Sequence, residues 1–397
     1  MKNMVLVTTK YPKGAGNEWL TNELAEYASA RGNTVSVVAL SWEFDDGASE
    51  HYTANGANVI RFRMPRIFYK KNLACAFLKI FSFSLYARFK TQAIMSQADI
   101  IIASTPCIAT WAFLTGHRLK DGVKSTLILW DFFPYYMKGL WRSKNIFFSF
   151  FLTIENYLYK KFNFIGCMTN ANKRFLLENY DNIDITRVFN LPLWTRQVPE
   201  PSLDKTLIRT RYEIAADAFV VIYGGAMSPV QGLDCMIDLA ELNKTDKTVL
   251  FLMVGRGPER ARLQEQAIKK GLTNLRFLEY IPRDQYEELV YASDLGIISL
   301  SSTLEVPSFR SKSIDYLKVG LPILASLDDC TDFGDILVKE MQAGQWVRAG
   351  DSESLNISLQ NMKNNKDFLA SCGKNGRAYY EKNMSVVVAY ENIFERL

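Results

Sequence analysis

The sequence predicts an α/β protein of two domains, each built on a doubly wound parallel sheet, and three observations carry that expectation. The first is a pattern that occurs twice. Residues 4–7 form a short apolar run, 8–17 (T-T-K-Y-P-K-G-A-G-N) a glycine-containing loop, 18–31 an amphipathic helix closed by Gly32, and 34–40 (T-V-S-V-V-A-L) a second apolar run. Residues 219–223 (F-V-V-I-Y), 224–232 (G-G-A-M-S-P-V-Q-G), 233–242 and 249–254 repeat the order. Strand, glycine loop, helix and strand is the opening unit of such a sheet. The second is length: 397 residues suit two domains of ordinary size. The third is a Pro-rich, polar stretch at 194–202, entered by Asn190-Leu191-Pro192, which reads as a linker. The expected division is 1–196, 197–374 and a helical tail at 375–397.

Composition narrows the function classes. With 48% hydrophobic and 22% charged residues the chain is globular rather than disordered. A net charge of +5 is too small to announce nucleic acid, and no RNA- or DNA-binding motif accompanies it. The six cysteines are far apart with no C-x-x-C pair, as expected of reduced thiols in a cytosolic protein. Two histidines, no H-x-x-H and no D-x-D leave no dedicated metal site to expect. The N-terminus enters a strand at once, so no secretory leader is expected. Residues 100–117 lack charge, but Ser104-Thr105-Pro106 divides them into strand, turn and helix rather than a membrane span.

Further strands are expected at 59–62, 99–103, 126–130, 164–169, 275–278, 295–300, 323–325 and 346–347. The run at 126–130 ends at Asp131-Phe132-Phe133-Pro134, and an Asp at the carboxyl end of a parallel strand is either a helix cap or a site residue. From Arg61 to Lys90 eight Lys and Arg residues alternate with aromatics and no acid intervenes. Residues 138–162 add Arg142, Lys144, Lys160 and Lys161 around I-F-F-S-F-F-L. Such segments read as an anionic-membrane surface, or as core helices with basic outer faces.

In the second half, 224–232 is a loop whose N–H groups suit a diphosphate. Gly255-Arg256-Gly257 follows the next strand. Residues 311–319 have helical spacing, Gly320 suits the position past a helix end and Pro322 stops it. Arg310, Ser311 and Lys312 then stand at a helix start, with Asp315 one turn in. Three loops at strand carboxyl ends of one sheet can meet one diphosphate. There is no P-loop and no complete G-x-G-x-x-G with its downstream acid, which argues against a P-loop nucleotidase and a dehydrogenase. The acids Asp328, Asp329, Asp332 and Asp335 read as a solvated loop and a capping turn.

The stretch S-K-S-I-D-Y-L-K-V-G-L-P, from Ser311 to Pro322, resembles the S-K-x-x-E-Y-x-x-x-G-x-P of family-4 retaining glycosyltransferases, in the branch that builds bacterial surface polysaccharides such as O-antigen and capsule. The loop ending Gln231-Gly232 resembles that family's G-x-x-x-x-x-K/Q-G turn, 254–259 its V-G-x-G-P-E, and Asp131-Phe132-Phe133-Pro134 its D-x-x-P. The resemblance implies the GT-B fold: two Rossmann-like domains facing a cleft, with a C-terminal helix crossing back to the first. It implies transfer of a sugar, with retention, from a UDP-linked or other nucleotide diphosphate donor to a lipid-linked, polyprenyl diphosphate glycan at the cytoplasmic membrane face, without a metal. It places Asp131 and Lys312 in catalysis. It places Gly16, Gly224, Gly225, Gln231, Arg256, Tyr280, Ile281, Glu305, Arg310, Ser311, Lys312 and Asp315 around the nucleotide sugar. The family's ribose-holding Glu is Asp315 here, and its second Glu, eight positions earlier, is replaced by Pro307, with Glu305 the nearest acid. A sugar-nucleotide epimerase of the same architecture, and a non-enzymatic membrane- or nucleic-acid-binding protein, are the alternatives.

Overall fold

The structure is a computed structural model that describes residues 1–14, 18–70, 73–115, 120–136 and 146–397. The chain forms two compact units, Met1–Arg196 with Ser385–Leu397, and Gln197–Met384.

Unit 1 is built on one sheet. Its strands are β1 (Asn3–Thr8), β2 (Thr34–Leu40), β3 (Glu50–Ala54), β4 (Ala57–Phe62), β5 (Ile100–Ser104), β6 (Lys124–Leu129), β7 (Phe164–Cys167) and β8 (Val188–Asn190), in the order β3-β4-β2-β1-β5-β6-β7-β8. All pairings are parallel except β3 with β4. The chain winds outward from β1 through β2 and β4, then restarts at β5 and winds the other way. The reversal lies between β1 and β5, where the hydroxyls of Thr8 and Ser104 meet at 3.2 Å. β3 and β8 are absent from the sequence expectation. The signal for β3 is Asn55-Gly56, both at positive φ (45° and 85°), the two-residue hairpin turn that right-handed strand twist favours.

Trp194, expected in the linker, is core: it is 1% exposed and its indole donates to the Leu20 carbonyl at 2.9 Å. The expected tail at 375–397 is two helices, Lys366–Asn383 and Val386–Phe394. The Ser385 hydroxyl accepts from the Val388 amide and starts the second one. The return to unit 1 therefore begins at Ser385, ten residues later than expected. There Val386 donates to the Thr195 carbonyl at 3.0 Å, and Tyr390 meets Tyr27 edge to face at 5.3 Å.

Unit 2 holds β9 (Phe219–Gly224), β10 (Val249–Val254), β11 (Leu275–Leu278), β12 (Leu295–Ser299), β13 (Ile323–Leu327) and β14 (Gly344–Arg348), all parallel, in the order β11-β10-β9-β12-β13-β14. Its reversal lies between β9 and β12. Strands buried on both faces, such as Val249–Val254, explain the continuous apolar runs in the sequence. Among the described residues no helix is long and apolar enough to cross a membrane.

One buried acid in unit 1 was not anticipated. Glu155, on the helix Ile146–Tyr159, is fully buried and accepts from the amides of Cys107 (3.2 Å) and Ile108 (2.5 Å). Burial outweighs these two bonds and pushes its carboxyl up to about 8. A carboxyl whose pKa is raised on folding holds a proton that the unfolded chain has lost. Stability should therefore fall as pH rises from about 4.5, its ordinary value, toward about 8. Denaturant titrations across that range should show the slope in the wild type and a flatter profile in Glu155→Gln. Identical profiles would remove Glu155 as the cause.

Candidate functional site

In an open parallel sheet, the loops leaving the two strands at a winding reversal separate and leave a crevice at the strands' carboxyl ends. In unit 2 those loops leave β9 and β12. After β9 the chain turns through Gly224 and Gly225. Gly225 has φ +130°, and a Cβ built on it would lie 2.7 Å from Cε of Lys312. The lysine, carried on the helix Lys312–Lys318 beyond β12, thus lies directly on bare backbone. Its amine donates to Oε1 of the buried Gln231 at 3.1 Å and stands 4.9 Å from the centre of the Tyr223 ring. Burial pushes its pKa down to about 8, with repulsion from Arg310 adding to this and Asp315 opposing it. Lys312, Gly225 and Gln231, singled out separately in the sequence, therefore meet at one point. Gly224 lies under the Tyr286 ring, where a Cβ would collide.

The glycine loop is fixed from the β10 side by backbone alone. Gly225 donates to the Val254 carbonyl and Met227 to that of Arg256, both at 2.9 Å. Arg256 and Tyr280 are both exposed, with the guanidinium 5.1 Å from the ring centre. Ile281 is half-buried ahead of the helix Arg283–Tyr291. Glu305 and Ser311 are exposed and Arg310 is half-buried.

Asp315 carries more than the sequence indicated. Its carboxylate is 13% exposed and is gripped by both terminal nitrogens of Arg283, one at 3.3 Å and one closer. Arg283 also binds Glu287 at 2.8 Å, and Glu287 binds Lys318 at 2.9 Å. Burial raises the Asp315 pKa and Arg283 counters it. Asp328, expected in a solvated loop, is 2% exposed and orders that loop by accepting from the amides of Cys330 and Thr331 at 2.8 Å each. Gly16 lies outside the described residues. Asp131 belongs to unit 1, exposed just past β6, with its amide donating to the Thr105 hydroxyl at 3.1 Å.

Residues 204–379, nearly all of unit 2, match the family described as Glycosyl transferases group 1. This segment is a group 1 glycosyltransferase domain. Two curated relatives agree with the assignment. WcaI of Escherichia coli K12, whose name assigns it to glycosyl transfer in colanic acid biosynthesis, is 24% identical over 34% of this chain and 32% of its own. O-antigen chain mannosyltransferase C of Escherichia coli is 22% identical over 47% and 48%. The aligned stretches thus span less than half the length of either relative. Solved structures share the fold of two Rossmann-like sheets over the full chain. HepE of Anabaena in complex with UDP and glucose has a TM-score of 0.70 at 18% identity, covering 100% of this chain and 99% of that one. WaaG, a glycosyltransferase involved in lipopolysaccharide biosynthesis, has 0.67 at 15% identity, covering 98% of each.

Within the glycosyltransferase domain, sequence reasoning missed two arginines. Arg283 holds Asp315, and Arg260 donates to the carbonyls of Gly255 (2.5 Å) and Leu278 (2.8 Å), tying the ends of β10 and β11 together. Both sit on helices as ordinary surface cations in the sequence, and their partners lie on other elements.

Among the described residues, two cations of the basic segment in unit 1 are buried. Arg61 is 3% exposed and donates to the Tyr11 carbonyl (2.6 Å) and the Tyr52 hydroxyl (3.0 Å). Lys79 is buried and donates to the Trp42 carbonyl at 2.7 Å. Arg66, Lys70, Lys90, Lys160 and Lys161 are exposed, as are Ile67, Leu78, Tyr86, Phe89, Ile146, Phe147, Phe150 and Tyr157. Lys71, Lys138, Arg142 and Lys144 lie outside the described residues.

Close backbone contact at the glycine turns yields a comparative prediction. Gly225→Ala and Gly255→Ala both force a side chain onto positive φ, about 1–3 kcal/mol of strain. At Gly225 the obstacle is a flexible lysine. At Gly255 a Cβ would lie 2.1 Å from the Gly225 carbonyl oxygen, so backbone must move. Gly255→Ala should be the more destabilising in denaturant titration, and equal losses would show that the two turns do not bear on each other.

Proposed function

We propose that the protein is a retaining glycosyltransferase that takes its sugar from a nucleotide diphosphate donor, UDP-linked, and delivers it to a lipid-linked, polyprenyl diphosphate glycan of a surface polysaccharide. The observation that carries this reading is the Lys312 amine held against Gly225 and Gln231 at the winding reversal of a group 1 glycosyltransferase domain. The glycine turn lets a diphosphate approach the backbone closely, and Lys312 and Arg310 supply positive charge beside it. As the sugar departs, charge grows on the diphosphate oxygens, and preorganised cations there lower the barrier. Asp315 accepts from ribose hydroxyls, its carboxylate held in orientation by Arg283. Asp131 acts on the acceptor side. The relatives named for colanic acid and O-antigen synthesis support the substrate class, and the HepE complex with UDP supports the donor.

The test is calorimetric titration of UDP, GDP and ADP. UDP should bind tightest, and failure of all three to bind would overturn the reading. Lys312→Ala should lower turnover more than affinity for the intact donor, because its partner's charge grows in the transition state. Asp315→Ala should weaken UDP by roughly 1.5–3 kcal/mol, a hydrogen bond to a charged group. Arg283→Ala should weaken UDP in the wild type and have no further effect on top of Asp315→Ala.

UDP affinity should also depend on pH in one direction. Below about 8 Lys312 is already protonated; above it the free protein must take up a proton to meet the diphosphate. The affinity should then fall, by at most ~1.4 kcal/mol per pH unit for one proton, and this fall should vanish in Lys312→Met.

The exposed basic and aromatic residues of unit 1 support a position, in this reading, at the inner face of the cytoplasmic membrane. Each cation near an anionic surface contributes about 1 kcal/mol. Replacing Arg66, Lys70, Lys160 and Lys161 by Gln should release the protein from anionic vesicles in a sedimentation assay and leave UDP binding intact. Undiminished vesicle binding would refute the assignment.

A further inference from the structure

The turn that follows β5 is held by a carboxyl from another element. Cys107–Thr110 is one turn of 3₁₀ helix, entered at Pro106. The first N–H groups of such a turn have no acceptor within it. Glu155 supplies acceptors for two of them, one carboxyl oxygen taking the Cys107 amide and the other the Ile108 amide. The Thr110 hydroxyl donates to the Cys107 carbonyl at 3.1 Å and closes the turn from its far end. Thr105, just ahead of the turn, is buried and carries this order into the next loop. Its own amide donates to the Ile128 carbonyl at 3.2 Å, and its hydroxyl accepts from the amides of Trp130 and Asp131, both at 3.1 Å.

Packing joins the same elements a second time. Ile108, Phe133 and Phe151 share one buried cluster with Ile80, and Phe133 meets Phe151 edge to face at 5.3 Å. Phe151 lies one turn before Glu155 on its helix, and Tyr159 one turn after it. Tyr159 stacks on Tyr180 at 4.9 Å, and the Tyr180 hydroxyl donates to the Phe133 carbonyl at 2.8 Å. The helix that carries Glu155 therefore reaches the loop after β6 by two routes, one through backbone and one through rings.

The ionisable groups that face Glu155 are Cys107 in the turn, Tyr159 on its own helix, Tyr180 and Tyr136. Burial raises the first three. Tyr136 is 51% exposed, yet its hydroxyl is raised as well, by burial first and then by Asp131 and Glu155. Among these groups Glu155 is thus the first to change charge as pH rises. On the other side of the loop Lys10 faces Asp131, with its amine lowered by burial.

We propose that Glu155 is a positioning residue for the loop that carries Asp131: its carboxyl fixes the Cys107–Thr110 turn, and Thr105 passes that geometry on to the Trp130 and Asp131 amides. Loss of the Glu155 proton makes the carboxyl a stronger acceptor, since hydrogen bonds to a charged oxygen are shorter. The Cys107 and Ile108 amides are drawn toward it, and Thr105 moves with them. The link is a property of unit 1 alone. Its bearing on turnover rests on the transferase reading, in which Asp131 acts on the acceptor side.

The test is an NMR titration of the folded protein on both sides of pH about 8, where Glu155 ionises. The amide resonances of Cys107, Ile108, Trp130 and Asp131 should shift with one common midpoint, and that of Val37 in β2 should not. Glu155→Gln should abolish the midpoint at all four. Thr105→Val leaves Glu155 in place and should keep the response at Cys107 and Ile108 while removing it at Trp130 and Asp131. Lys10→Met should change nothing in this pattern, which separates Glu155 from the amine that faces Asp131. Trp130 and Asp131 resonances that stay flat through the Glu155 midpoint would overturn the link, as would an undiminished response there in Thr105→Val or in Glu155→Gln. UDP titration at pH 7 reports on unit 2 and should be unchanged in Glu155→Gln and Thr105→Val. Wild-type protein that shows the common midpoint and binds no UDP would leave the link standing and remove the donor reading.

Discussion

The chemistry of unit 2 depends on an absence of side chains. Lys312 reaches its place because Gly225 has no Cβ, and Gly225 holds its own place because Gly255 has none either: a methyl there would sit 2.1 Å from the Gly225 oxygen. The Gly257 turn repeats this against Met227, whose carbonyl a Cβ would approach to 2.2 Å. Backbone therefore packs on backbone across β9 and β10, and the Gly225 and Met227 amides are held by carbonyls of the β10 side. The lysine, half-buried and short of protons above about 8, is poised to gain most from an anionic neighbour.

Much of this was legible because parallel sheets write themselves locally. Continuous apolar runs such as 249–254 announce doubly buried strands, and glycines at their ends announce turns. The stretch from Ser311 to Pro322 placed a helix within a residue of its observed limits. What escaped was long-range pairing. Arg283 and Asp315 are 32 positions apart, and nothing near either marks the other as its partner. Arg61 read as a surface cation because its acceptors, Tyr11 and Tyr52, belong to another loop and another strand. Asp328 read as solvated for the same reason that caps are hard to see: its partners are the amides of its own turn.

The two units solve one problem with different materials. At the reversal of unit 2 the loops bring glycine against Lys312. In unit 1 the loops after β1 and β6 bring aromatic rings together instead, Trp19 meeting Trp130 edge to face at 6.4 Å. The same sheet topology thus carries loops of different composition, because the strands fix where the loops start and leave their composition open.

The excursion of the chain bears on its synthesis. Unit 2 is one continuous stretch, whereas unit 1 is finished by Ser385–Leu397, where Tyr390 meets Tyr27 and accepts from Asn33 at 2.9 Å. On a ribosome, all of unit 2 has been made before the piece that closes unit 1 emerges. The nascent first sheet must wait with the Tyr27 face of its helix uncovered while the later-made sheet completes itself. The part translated first is therefore the part completed last.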